Sequence, residues 1–198
     1  MMLDTIVLRL DARQFSITAP ERFTPHAALV LNGKNMGKYI ACTQNPSKSE
    51  LKDSSYYPRL TLSKSVRNGG HVILLRVECS LPKLLFQNNF MELENSDFEA
   101  VIATLHMRLA EMGVDTTQDT LCRASVASIH FSKNIALSDY TTCSLIIAEL
   151  AKLNLQKRLD LNRTKYRNGL ALSFHSNVFE ISFYDKVQDL LQSKISPK

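Results

Sequence analysis

Along residues 5–10, Ile6, Leu8 and Leu10 alternate with Thr5 and Arg9, apart from Val7, and this period of two predicts a half-buried strand. Two extended runs, 58–66 and 71–80, flank Arg67-Asn68-Gly69-Gly70. Asn and Gly accept positive φ, so the three-residue Asn-Gly-Gly tip predicts a β-hairpin. Pro82 stops the second run, and residues 83–89 predict a short turn or helix. Ser96 followed by Glu99 reads as a capping box, and Val101, Ile102, Leu105, Leu109 and Met112 recur at helical spacing until Gly113 supplies a stop. Alternation returns over 125–131, with Ser125, Ala127, Ile129 and Phe131 expected to face the helices. Residues 138–153 then predict a second amphipathic helix, carrying Leu145, Ile146, Leu150 and Leu153. Two further strands, 171–175 and 178–184, surround Ser176-Asn177, and a helix begins near Asp185 and fades in the polar tail 193–198. The segment 18–55 contains Pro20, Pro25, Pro46, Gly33 and Gly37, and reads as a long loop or a set of short elements. Together these elements predict a single α+β domain over 1–198, with a central, mainly antiparallel sheet and helices on one face.

Composition narrows the picture. A chain of 198 residues that is 44% hydrophobic can bury a core without disulfides or metals. No apolar run approaches the ~20 residues needed to span a membrane, so a soluble protein without a membrane partner is expected. Asp4 and Arg9 interrupt the first apolar stretch, which is unlike a secretory signal. Cys42, Cys79, Cys122 and Cys143 are widely separated and match neither a zinc ribbon nor a disulfide framework, which suits a reducing cytosol. A net charge of +5 favours polyanionic partners.

Arg59, Lys64, Arg67, Lys133, Lys157, Arg158, Arg163, Lys165 and Arg167 intermix with Tyr56, Tyr57, Tyr140 and Tyr166, a composition suited to phosphate contacts and base stacking. The stretch 157–167 is the best single candidate for a DNA-contacting arm. No Walker loop, dinucleotide glycine signature, nucleophile elbow or HExxH is present, so nothing supports ATP use.

Strand parity sets Arg76, Glu78 and Ser80 on one side of their strand, Ser128, His130 and Ser132 on one side of the next, and Glu180, Ser182 and Tyr184 on one side of the last. If these strands are neighbours, one sheet face gathers Glu78, His130, Glu180 and Tyr184, with Ser173 and His175 on the polar side of the preceding strand. A carboxylate and an imidazole from different strands suit a divalent metal, and a nearby tyrosine suits attack on a phosphate. Lys186, beside Tyr184, is placed to steady a phosphate oxygen. The blander reading is a strand histidine and a solvated, charged sheet face.

The segments DTIVLRL, LRVECSLPKLLFQNNF, SIHFSKN and FEISFYDKVQDL resemble, in that order, the replication proteins of the filamentous-phage gene II/X type, over nearly the whole chain. LRVECSLPKLLFQNN and FYDK are the most specific pieces. The resemblance implies the fold of a rolling-circle initiator nuclease domain and a reaction in which origin DNA is nicked, its 5′ end is kept on a tyrosine, and a 3′ hydroxyl is left for the polymerase. By position the tyrosine is Tyr184, the carboxylate Glu78 and the strand histidine His130. Mg²⁺ or Mn²⁺ is the implied cofactor, held by Glu78 and His130 with Glu180, His175 or water completing the set. Many rolling-circle nucleases carry two histidines separated by one residue, whereas His130-Phe131-Ser132 offers one. Single-stranded or hairpin origin DNA and the host replication machinery are the implied partners, in the cytoplasm of a bacterial host. Two alternatives stay open: a non-catalytic DNA-binding regulator and a metal-dependent nuclease that uses water.

Overall fold

The computed structural model describes residues 2–32, 39–52, 55–137, 140–153, 162–165, 171–176 and 179–195. Where the sequence predicts one domain, the chain divides into two compact units, Met1–Lys133 and Asn134–Lys198.

The first unit is built on a five-stranded antiparallel sheet in the order β3-β4-β5-β1-β7. Its strands are β1 (Met2–Asp11), β3 (Tyr39–Gln44), β4 (Arg59–Arg67), β5 (Gly70–Ser80) and β7 (Ser125–Ser132), while β2 (Ser16–Ile17) pairs separately with β6 (Val114–Asp115). Because every pairing is antiparallel, β1 and β4 run parallel with β5 between them, and β5 and β7 run parallel with β1 between them. Helix α1 (Ala27–Leu31) lies in the first connection and α4 (Phe98–Glu111) in the second, giving two interleaved split β-α-β units. Helices α2 (Lys48–Lys52), α3 (Leu81–Phe86) and α5 (Gln118–Cys122) complete the unit.

Alternation decides which sheet face is dry. Leu8 and Leu10, Leu60 and Leu62, and Leu75, Val77 and Cys79 join Val30, Leu84, Leu105 and Leu109 of α1, α3 and α4 in one buried cluster. Each Leu fully removed from water there contributes about 1.5–3 kcal/mol. The hairpin forms where the sequence predicts it. Asn68 and Gly69 both have positive φ, 48° and 77°, which matches the twist of the flanking strands in a tight two-residue turn. Pro82 stands in the first turn of α3, where its missing amide costs nothing.

Several expectations are corrected. The capping box is formed by Glu94 and Asp97, not by Ser96 and Glu99, because a turn of 3₁₀ helix over Asn95–Asp97 precedes α4. Residues 18–55, by contrast, do form a set of short elements, one of the two expected readings, among them the sheet strand β3, whose Cys42 and Gln44 are buried. On β7, Val126, Ile129 and Phe131 are 50%, 45% and 59% exposed, so the helices do not cover this end strand.

All four cysteines are free thiols, and Cys122 is exposed. Burial pushes the Cys79 thiol up to about 12. A thiol-specific alkylating reagent at pH 8 should therefore label Cys122 while Cys79 stays unmodified until the protein unfolds. Peptide mapping after brief exposure tests this, and equal labelling of both in folded protein would contradict the placement of Cys79.

The second unit has a three-stranded antiparallel sheet, β8 (Asn162–Lys165), β9 (Ala171–His175) and β10 (Glu180–Tyr184), with β9 in the middle. Helix α6 (Cys143–Leu150) is shorter than predicted, because Thr142 caps it by accepting a hydrogen bond from the Leu145 amide. Ile147 of α6 packs with Leu172 and Phe174, whereas Leu145, Ile146 and Leu153 are exposed. Asp185 accepts from the Gln188 amide at 3.0 Å and so caps α7 (Lys186–Ile195). Among the described residues no helix is long and apolar enough to cross a membrane.

Candidate functional site

The open face of the first unit's sheet is set by register. Glu78 lies opposite Val7, which lies opposite Ser128; Ser80 lies opposite Thr5, which lies opposite His130. Glu78 and His130 therefore share a face, as strand parity predicts, on either side of β1. Two strand spacings and one side-chain repeat separate their backbones by roughly 12 Å. The Glu78 carboxylate accepts from Arg76 Nη2 at 3.4 Å, and both side chains are about half exposed. Two irregularities adjust the face. The β1–β7 register steps between Leu3 and Thr5, leaving Asp4 extra on β1, and between Val7 and Leu8, leaving Ala127 extra on β7. The second bulge turns Ser125 to the side of Arg9, away from the helix side to which simple alternation assigns it.

Asp4 and Tyr56 are residues that sequence reasoning underrates here. The Tyr56 hydroxyl accepts from the Ser80 amide at 2.8 Å. Burial pushes this phenol above its usual range, and the charges of Glu78 and Asp4 push it further. Tyr56 thus stands near the Glu78 and Asp4 carboxylates, in surroundings that disfavour its ionised form. The signal lay in Ser80 and Glu78 ending a strand, but only the fold brings Tyr56 to it. Tyr57 is structural: Arg108 lies 4.8 Å from its ring centroid.

Tyr184 and Lys186 belong to the second unit. Lys186 Nζ donates to the Tyr184 hydroxyl at 3.2 Å, and Tyr184 is 47% exposed. The pair is local because Tyr184 ends β10 and Lys186 begins α7, with the capping Asp185 between them. Behind Tyr184 on the same strand side, Ser182 Oγ donates to Glu180 Oε1 at 3.1 Å and lies 2.5 Å from Ser173 Oγ. His175 stands opposite Glu180 across the β9–β10 ladder.

Glu180 is accordingly a correction. β10 hydrogen-bonds to β9, so Glu180 and Tyr184 are not on the sheet that carries Glu78 and His130. Among the described residues no three or more His, Cys, Asp or Glu side chains converge as a metal-binding group. Glu78 and His130 alone supply one carboxylate and one imidazole. That is a partial set, of the kind in which Mg²⁺ keeps several waters and takes substrate phosphate oxygens as well.

The expected DNA-contacting cations fare differently. Arg59 and Arg67 are exposed on β4, and Lys133 pairs with Glu92 at 3.5 Å. Lys64 is 3% exposed. It follows Leu60 and Leu62 on the helix-covered side of β4, so it is not a surface cation. Arg163 and Lys165 lie on the β8 backbone, with side chains that are not described, and Lys157, Arg158, Tyr166 and Arg167 fall outside the described residues. Comparison of the chain with protein-family models, with curated proteins and with solved structures finds no match.

Proposed function

We propose that the chain is a rolling-circle replication initiator that nicks one DNA strand by tyrosine transesterification and can rejoin it. The observation that carries this reading is the Tyr184 hydroxyl, half exposed at a strand end with the Lys186 ammonium 3.2 Å away. In the reaction the Tyr184 oxygen forms a bond to phosphorus and the bond from phosphorus to the 3′ oxygen breaks. The phenolic proton leaves to solvent, and the departing 3′ oxygen takes one up. The 5′ phosphate stays on Tyr184, so the bond energy is retained and rejoining needs no ATP. Lys186 steadies the charge that builds on the phosphate oxygens. On the first unit, Glu78 and His130 are the residues of this chain that would hold Mg²⁺ or Mn²⁺, an ion whose general contribution when bound is to neutralise phosphate charge. Origin DNA in single-stranded or hairpin form is the proposed substrate, since unpaired bases let a phosphate reach the tyrosine.

Incubation with single-stranded DNA and Mg²⁺ or Mn²⁺, followed by denaturing electrophoresis, tests the reading. A covalent adduct supports it; cleavage without adduct points to a water-using nuclease, and binding without cleavage to a regulator. Lys186→Met keeps most of the apolar stem and removes the charge. It should lower the rate of adduct formation by roughly 10²–10³, the usual effect of losing one transition-state donor. An unchanged rate would remove Lys186 from the chemistry.

A further inference from the structure

Thr61, Arg76, Arg9 and Ser125 are cross-strand partners in turn on β4, β5, β1 and β7, forming one row across four adjacent strands of the open sheet face. Two guanidinium groups stand at the centre of this row and a hydroxyl at each end. Arg9, Arg76 and Ser125 are exposed. Like charges directly opposite one another weaken a sheet pair, so Arg9 facing Arg76 is a cost that the fold carries. Glu78 relieves only part of it, holding Arg76 at 3.4 Å. Asp11 lies one repeat along from Arg9 on the same side of β1, yet among the described residues no carboxylate forms an ion pair with Arg9. The Ala127 bulge is what brings Ser125 into the row.

We propose that this row is a binding site for the sugar–phosphate backbone of single-stranded DNA. The proposal rests on the reading that the substrate is DNA, and adds where the strand runs. Guanidinium groups give forked, charge-assisted hydrogen bonds to phosphate oxygens, and the flanking hydroxyls extend the line of donors. Three strand spacings make the row about 14 Å long, enough for two to three consecutive phosphates. A backbone lying along it passes one side-chain repeat from Glu78 on β5, because Arg76 and Glu78 are neighbours on that strand face. Arg76 then exchanges between the Glu78 carboxylate and a phosphate, which ties strand binding to the state of Glu78.

The test measures fluorescence anisotropy of a labelled oligothymidine against the full chain over a salt series, alongside adduct formation on single-stranded DNA. Arg9→Gln with Arg76→Gln should weaken binding at least 10-fold at low salt and reduce the slope of log affinity against log salt by about 1.4, two single-strand contacts. Arg13→Gln with Arg123→Gln, an equal charge change on other exposed arginines, should weaken it less than about 3-fold. Arg9→Gln alone removes a like-charge neighbour, so its melting temperature should not fall and lost binding is not lost folding. Equal losses in both double variants, binding unaffected by Arg9 and Arg76, or no binding by the unaltered chain would each overturn the site. Binding that depends on Arg9 and Arg76 without any adduct would keep the site and overturn the Tyr184 reaction instead.

Discussion

Phenylalanine at position 184 leaves a protein that folds, binds single-stranded DNA with the same salt dependence, and forms no covalent adduct. The substitution removes one hydroxyl and keeps the ring. Its structural cost is the hydrogen bond from Lys186, which at a half-exposed site is worth about 1 kcal/mol or less. The chemical cost is total, since a phenyl ring has no atom that can attack phosphorus. Tyr56→Phe is the companion variant. It leaves the Ser80 amide without its acceptor, at about 1–3 kcal/mol, yet the adduct persists because the proposed nucleophile, Tyr184, is intact. Denaturing electrophoresis and mass mapping of the modified peptide distinguish the two. An adduct surviving in Tyr184→Phe and mapping to Tyr56 would move the chemistry to the first unit, beside Glu78.

Among the described glycines, Gly113→Ala should be the most destabilising substitution. Gly113 has φ of 75°, a region that costs an L-residue about 1–2 kcal/mol. An added Cβ would also lie 2.3 Å from the Ala19 Cβ and 3.0 Å from the Ala19 amide nitrogen. Neither atom is the end of a flexible side chain, and the Gly113 carbonyl holds that segment by accepting from the Thr18 amide at 2.9 Å. Overpacking adds about 1–3 kcal/mol, for a total of roughly 2–5 kcal/mol. Two other glycines separate the contributions. Gly69 shares the positive φ with open space around it, and Gly70 has neither constraint, its Cβ meeting only the Arg67 carbonyl at 3.7 Å. Chemical denaturation should rank Gly113→Ala well below Gly69→Ala, with Gly70→Ala closest to the unaltered chain. Indistinguishable midpoints for Gly113→Ala and Gly69→Ala would show that Ala19 yields.

What the sequence makes legible is what local chemistry decides. The Asn68-Gly69 turn, Pro82 at the start of α3 and the buried stripe of α4 follow from neighbours within a few residues. Strand parity gives the side of Glu78 and of His130 on its own strand for the same reason, and the register through β1 makes those sides one face. The missed elements depend on partners far along the chain. β3 exists because β4 offers it an edge, and its Gln44 is buried because Nε2 finds the Met112 carbonyl at 3.1 Å. The polar residue and surrounding Pro and Gly conceal that pairing. The Ala127 bulge is visible only against β1, and it reverses the assignment of Ser125. Lys64 misled because its charge suggests a surface position, although the strand alternation that buries Leu60 and Leu62 extends to it. Among the candidate site residues, Tyr184 and Lys186 were readable as a pair because one capping residue separates them. That Tyr184 lies in a separate sheet from Glu78 was not, since nothing in β10 itself reveals that β9 is its neighbour in the ladder.

The place of β1 also dictates how this protein has to be made. It is synthesised before both of its hydrogen-bonded partners, β5 first and β7 much later, with Thr5 meeting His130. Closing such distant pairings costs loop entropy before any contact repays it, so the sheet should fold slowly and only after most of the first unit has been synthesised. Until then an apolar strand with two open edges is exposed, a natural target for holding chaperones. Expression at lower temperature or with added chaperone should therefore raise the soluble yield.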